Sequence, residues 1–491
     1  MADTIYALAI SMTPWALGAA MLYAMLYQPR HWHLEHHLFI IGSAAYMGYL
    51  WVALLMAGLQ RYTVPVFSDW MLAWMTLSVV VCLGLGTYAR LRTARIKPTP
   101  DHQTLPRRGA HRESLWFISA LSLYLLVLSY SVFLDTTMRP ATAWDTLIFW
   151  ADHGHTFLNG QLNTQSLSQM PAWTHPTTIK YVGAWGAFAV HERSSSGLYL
   201  PWAILYLGTV MVCITLGKML SGYWWLGMLV GIMTASSPII QAHASLGGYA
   251  DFWLASGLVM SLGWLAITYR RIFPNTITLV ALTTLILISL AFIKGNGVAY
   301  TVILLSVMVV ARAVTHWHWG ATLGLIFLVT VAVLSMWTVG FDLSIGRYRL
   351  SLLPEENLIA LGQRQATLSS NSWSQIAQNF YHSWVNNASF YSGVVVGAVV
   401  CVVALLTKNL RSNWLVLTSV LFMIVLTLFY GVGQHLNERQ LFAYASPETD
   451  TSLSRFSQAI YLAAIMATLT AISTLFDNHR NSEQPAHHNL P

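Results

Sequence analysis

The sequence predicts an all-α polytopic membrane protein, and three observations carry that prediction. Of the 491 residues 56% are hydrophobic and only 9% charged, too little polar surface for a water-soluble fold. Apolar stretches of about 20 residues, each long enough to cross the hydrocarbon core, recur from Ile5 to Phe476 with short polar breaks. The basic residues behind the net charge of +7 gather in those breaks, as positive-inside topology demands, so the charge implies no nucleic-acid partner. Cys82, Cys213 and Cys401 lie inside apolar runs and read as small buried hydrophobes.

Orientation follows from segment 90–113, where Arg90, Arg92, Arg95, Lys97, Arg107, Arg108 and Arg112 face only Asp101 and Glu113. It is a basic cytoplasmic loop. Segment 1–89 before it holds three spans, near 5–27, 37–59 and 69–89, with the amino terminus outside. The first of them lacks the basic start of a cleavable signal and is expected to stay as a helix. A span from Leu115 to Leu134 then delivers Asp135 to Thr178 to the outside. Further spans fall near 198–217, 225–240, 252–269, 277–293, 298–312, 320–338, 390–407, 414–432 and 456–476. Arg270, Arg271, Arg312, Lys408 and Arg411 are then inside, and loops 340–388 and 433–455 outside, with about thirteen crossings in all. Ile179 to His191 is apolar but shorter than the ~17 residues of an upright span, which fits a tilted short helix or a re-entrant one. In loop 340–388, Trp373, Ile376, Phe380 and Trp384 recur at helical spacing, the pattern of a helix along the interface.

Outer segment 135–178 gathers Asp145, Asp152, His153, His155 and His175 close to the membrane surface. Carboxylates and imidazoles are the groups that acid–base or metal-assisted transfer uses. Trp144, Leu147, Ile148, Trp150 and Phe157 suit a helix dipping into the head-group region with Asp145, Asp152 and His155 partly on one face, and equally a solvated loop with an aromatic belt. Asp145, His153, His155 and Asp251 have metal-ligating chemistry, which makes a divalent cation the candidate cofactor, although histidines two apart on a helix point away from each other. His243 and Asp251 sit at the outer end of a span. A carboxylate there either marks function, because charge near hydrocarbon is costly, or caps a helix. In AFIKGNGVAY, Lys294 beside Gly295 and Gly297 is a cation at the outer face, level with lipid phosphates, or a snorkelling lysine at a tight turn. Arg347, Arg349, Arg439 and Arg455 add cations on outer loops.

These residues form a pattern. Asp145 followed by Phe149 and Gly160 resembles the acidic first-loop motif of the GT-C glycosyltransferases, membrane enzymes that use polyprenyl-phosphate sugars. Trp144-Asp145 with Phe149-Trp150, then His175-Pro176, then Pro238 with His243 and Gly248-Tyr249-Ala250-Asp251, then Lys294-Gly295-Asn296-Gly297 is similar in order and spacing to bacterial family-39-like members. The likeness covers 115 to about 310. It implies a GT-C-like fold with juxtamembrane helices on outer loops, a catalytic module at 114–338, an accessory segment at 1–89 and a C-terminal membrane module at 339–491. It also implies an inverting hexosyl or pentosyl transfer at the outer face of a bacterial cytoplasmic (inner) membrane, from a polyprenyl-phosphate sugar donor to a lipid, glycan or protein acceptor. Asp145 would be the general base, and Asp152, His155, His175, His243, Asp251, Lys294 and Arg455 would line the substrates. The sequence departs from the family where an acidic neighbour of the base is Thr146 and where a Lys-Asn-Glu-Gly run reads Lys-Gly-Asn-Gly. A lipid-linked glycan flippase, polymerase or ligase, or a transporter, also combines many spans with basic outer loops, although the chain has no convincing internal repeat.

Overall fold

A computed structural model describes residues 2–26, 32–61, 115–138, 178–190, 199–245, 249–270, 272–273, 276–316, 341–345, 348–353, 358–362, 364–367, 414–435 and 458–472, with separate positions between 73 and 88 and between 374 and 406. The chain forms two compact units, Met1–Thr301 and Val302–Pro491.

The first unit is helical: α1 Ala2–Leu26, α2 Leu34–Arg61, α3 Leu115–Met138, α4 Thr178–Val190, α5 Leu200–Ser221, α6 Trp224–Ala235, α7 Pro238–Ser245, α8 Ala250–Arg270 and α9 Thr276–Ile293, followed by α10, Gly295–His316, which crosses into the second unit. Among the described residues five helices are long and apolar enough to span a bilayer, or six when α6 and α7 count as one broken span. Four more apolar helices are shorter, Ile277–Ile293, Gly297–Arg312, Trp414–Leu428 and Gln458–Ile472. The described positions between 73 and 88 are helical, as the span at 69–89 predicts, and Ser78 accepts a hydrogen bond from Trp51 Nε1 at 3.1 Å.

The core of this unit lies where α2, α5 and α8 meet. All of the spanning stretch of α8 is buried, against 11% of that of α3, so α8 is the central helix and α3 a peripheral one. Trp253 of α8 packs edge-on against Tyr49 and Trp202, with ring centroids 5.7 and 6.1 Å apart. Tyr46 of α2 hydrogen-bonds Ser289 of α9 at 2.9 Å and lies over Gly257 of α8, tying three helices at one point. Helices α1 and α2 cross closely because Gly48 has no side chain, and a Cβ there would run into the Pro14 carbonyl. Several hydroxyls within the apolar helices are satisfied locally: Thr209, Thr234, Ser261, Thr418 and Thr468 each donate to the carbonyl four residues back.

Prolines free carbonyls that other helices then satisfy. Pro14 has no N–H for Ile10, and the Ile10 carbonyl instead accepts from Trp185 Nε1 of α4 at 3.1 Å. That bond fastens the short α4, about 20 Å long and unable to cross upright, against α1. The expected single span at 225–240 is corrected to two helices, α6 and α7, bent by 62° at Ser236–Ser237. Pro238 is the cause, since it cannot continue the helical ladder and it disfavours helical geometry at Ser237. The Ala235 carbonyl, left free at the break, accepts from both Tyr206 Oη at 3.0 Å and Gln241 Nε2 at 2.7 Å.

In the second unit the all-α expectation needs a further correction. Loop 340–388 contains a four-stranded antiparallel meander, β1 Phe341–Ile345, β2 Tyr348–Leu353, β3 Leu358–Gly362 and β4 Arg364–Thr367, in the order β1-β2-β3-β4. The sequence carries the reason: apolar residues alternate with Asp342, Ser344, Arg349 and Ser351 at the period of two that suits a strand. Ser374, Ala377, Gln378 and Tyr381 are helical and exposed, in line with the helix expected over that stretch. Two apolar helices follow, α11 Trp414–His435 and α12 Gln458–Ile472, the latter buried along nearly its whole length.

Candidate functional site

Two of the sequence-predicted residues meet in the structure. Lys294 Nζ donates to Asp251 Oδ1 at 2.6 Å, joining positions 43 residues apart in the chain. The side chain of Asp251 is 6% exposed and that of Lys294 19%, so the pair is buried on the carboxylate side and reachable on the ammonium side. Local structure explains both positions. Asp251 lies in the first turn of α8, where the helix dipole and free N–H groups favour a carboxylate. Lys294 is the single residue between α9 and α10. Gly297 lies so close to the Leu290 carbonyl that a side chain there would collide with it, and Thr301 Oγ1 donates to the Leu287 carbonyl at 3.1 Å. Residues three to seven places either side of Lys294 are thus side by side, which makes α9 and α10 an antiparallel hairpin with Lys294 at its tip. The glycine of the Lys-Gly-Asn-Gly run is therefore a geometric requirement of that tip.

His243 belongs to α7, which contacts the start of α8. Its Nδ1 is 2.9 Å from the Ile239 carbonyl. A carbonyl only accepts, so Nδ1 carries the proton and Nε2 is the basic nitrogen of the neutral ring. The His243 ring packs edge-on against Tyr249 at 5.5 Å, and the Tyr249 carbonyl accepts from Trp202 Nε1 at 3.0 Å. The broken helix, the start of α8 and the tip of the α9–α10 hairpin therefore form one end of the first unit. Thr136, at the end of α3, donates to the Ala244 carbonyl of α7 at 3.4 Å, so the chain enters segment 139–177 at this same end.

Asp145, Asp152, His153, His155, His175 and Arg455 lie outside the described residues. Of the metal-ligand candidates Asp251 alone is described, and its carboxylate is engaged by Lys294. Among the described residues no three His, Cys, Asp or Glu side chains gather in a metal-holding group.

One charged residue was not singled out from the sequence. Lys180, in the first turn of α4, is 1% exposed, and burial pulls its ammonium down from 10.5 to about 8. Helix α4 touches α1, α2 and α9. The available signal was one lysine in an otherwise apolar thirteen-residue helix, TIKYVGAWGAFAV. Buried Tyr199 Oη and Trp253 Nε1, in the aromatic chain with Trp202, have no hydrogen-bond partner among the described residues.

Comparison with protein-family models, curated proteins and solved structures finds no match to this chain.

Proposed function

We propose that the protein is an integral membrane glycosyltransferase of the inverting GT-C type, moving a sugar from a polyprenyl-phosphate donor to an envelope lipid, glycan or protein acceptor on the extracytoplasmic face. The observation that carries this reading is the Asp251–Lys294 pair. It joins two motifs that the sequence resemblance had linked only by order, and His243 stands on the adjoining helix. Such a donor brings its own leaving group, so the enzyme needs one base for the acceptor and fixed cations for the departing phosphate. Asp145 takes the acceptor hydroxyl proton as that oxygen bonds to the anomeric carbon. The bond from that carbon to the phosphate oxygen breaks, and the electron pair leaves with the polyprenyl phosphate. Lys294, held by Asp251 yet partly exposed, suits the phosphate. Asp152, His155, His175 and Arg455 complete the proposed substrate contacts, and a divalent cation remains a candidate cofactor through Asp145, His153 and His155.

Replacing Asp145 by Asn is expected to abolish sugar transfer while leaving membrane insertion and thermal stability unchanged, measured with purified protein and a labelled polyprenyl-phosphate sugar. Full activity in the variant overturns the assignment of the base. A second reading, a lipid-linked glycan flippase or transporter, is favoured by the 62° break between α6 and α7, because broken helices line transport pathways. Movement of intact donor across a vesicle membrane without hydrolysis or transfer decides for that alternative.

A further inference from the structure

The backbone between His243 and Asp251 is held from a third helix. Trp202 lies in the first turn of α5, which touches both α7 and α8. Its ring is 1% exposed and meets Tyr199 and Trp253 edge-on, with centroids 6.0 and 6.1 Å away. Packing between two rings that cross it near right angles gives the indole one orientation and its N–H one direction. That N–H donates to the Tyr249 carbonyl at 3.0 Å, across 47 residues of sequence.

Tyr249 immediately precedes α8, the position whose carbonyl starts the helical ladder. Asp251 follows two residues later, and the Tyr249 ring packs edge-on against His243 of α7 at 5.5 Å. One hydrogen bond thus reaches both groups of the candidate site. The neighbouring indole supplies the contrast. Trp253 is equally buried, yet its Nε1 has no partner among the described residues. The two tryptophans share the packing, and only Trp202 adds a directed bond.

We infer that Trp202 is a positioning residue: its indole N–H holds the Tyr249 carbonyl and so sets where Asp251 presents Lys294 to the departing phosphate and where Tyr249 holds His243. The inference rests on the transfer reading given above. A buried neutral hydrogen bond contributes modestly to stability, but it fixes direction, and charge that stabilises a leaving group works only when correctly placed.

The test compares Trp202→Phe with Trp253→Phe in the full-length protein in detergent. Both remove the same part of a buried ring, and only the first removes an N–H that is in use. The loss of thermal stability caused by Lys294→Met is measured in each background. It is expected to be about halved in Trp202→Phe, because a displaced Asp251 pairs less well, and unchanged in Trp253→Phe. With a labelled polyprenyl-phosphate sugar, Trp202→Phe is expected to lower kcat about tenfold with donor KM within about twofold, and Trp253→Phe to stay within about twofold in both. Equal effects of the two variants identify ring packing as the whole role of Trp202 and overturn the proposal. If Trp202→Phe does not fold, 3-benzothienylalanine at position 202 keeps the ring and replaces the N–H by sulfur. Parent-like kcat and an undiminished Lys294→Met loss in that protein equally overturn it. A parent protein without transfer activity removes the transfer reading instead, and the Lys294→Met comparison still decides whether Trp202 positions Asp251.

Discussion

The two ends of α8 are built from opposite materials. At one end Asp251 meets Lys294 in an ion pair at the tip of a glycine-tight hairpin, with His243 on the adjoining helix. About 30 Å away along the same helix, beyond Arg270, Phe273 packs against Trp32 at 5.4 Å and His36 at 5.5 Å, and Tyr23 hydrogen-bonds His37 Nδ1 at 3.0 Å. That end is a ring cluster in which many weak contacts share the load. Charge is poised and costly at the first end and dispersed at the second. The first end concentrates charge near the apolar core, and the second is the kind that fixes helices.

Breaking the ion pair is expected to have the largest effect. Lys294→Met removes the ammonium from which the buried Asp251 carboxylate accepts and should lower stability by about 3–5 kcal/mol. Asp251→Asn should cost less because the Lys294 ammonium is partly exposed, and the double variant should recover most of the loss of the first. Thermal denaturation in detergent checks this, and additive losses would refute the pairing. Next, Gly297→Ala forces a methyl against the Leu290 carbonyl and should cost about 1–3 kcal/mol while displacing Lys294, seen as a fall in transfer activity larger than the fall at a control glycine such as Gly84, which has open space around it. Lys180 gives a pH signature. Between about pH 8 and 10.5 the unfolded chain holds a proton that the folded chain has lost, so folded stability should rise with pH across that window, by at most about 1.4 kcal/mol per unit. Lys180→Met should flatten the rise in denaturation curves taken at pH 8, 9 and 10. The smallest effect belongs to the other end: Trp32→Phe should cost about 0.5–1.5 kcal/mol and leave transfer unchanged, because no single ring carries that cluster.

Different parts of the molecule were legible to different degrees. Helix positions were readable because an apolar run of about 20 residues has one low-energy state in a bilayer, and the observed α1, α2, α3, α5, α8 and α9 lie close to the expected spans. Arg270 and Arg312 lie at or near helix ends, where the charge pattern expects them. The break at Pro238 and the strands at 341–367 were missed for one reason: hydropathy averaged over a window hides both a single proline and a period of two. Asp251 and Lys294 were each visible as charges at span ends, but their pairing was not. Lys180 passed as part of a short apolar segment because its significance lies in its burial.

What the sequence determined by itself is the solvent and the helical character: with 9% charged residues and recurring apolar runs, the chain has a membrane as its medium, and within one its backbone must close its own hydrogen bonds. What only the tertiary structure decided is which distant residues share a site. That depends on helix crossings set at contacts such as Gly48 on Pro14, Trp185 on the carbonyl freed by Pro14, and Gly297 on Leu290. These contacts are fixed to a fraction of an ångström by sterics between segments far apart in the chain, and no local pattern of residue types encodes them.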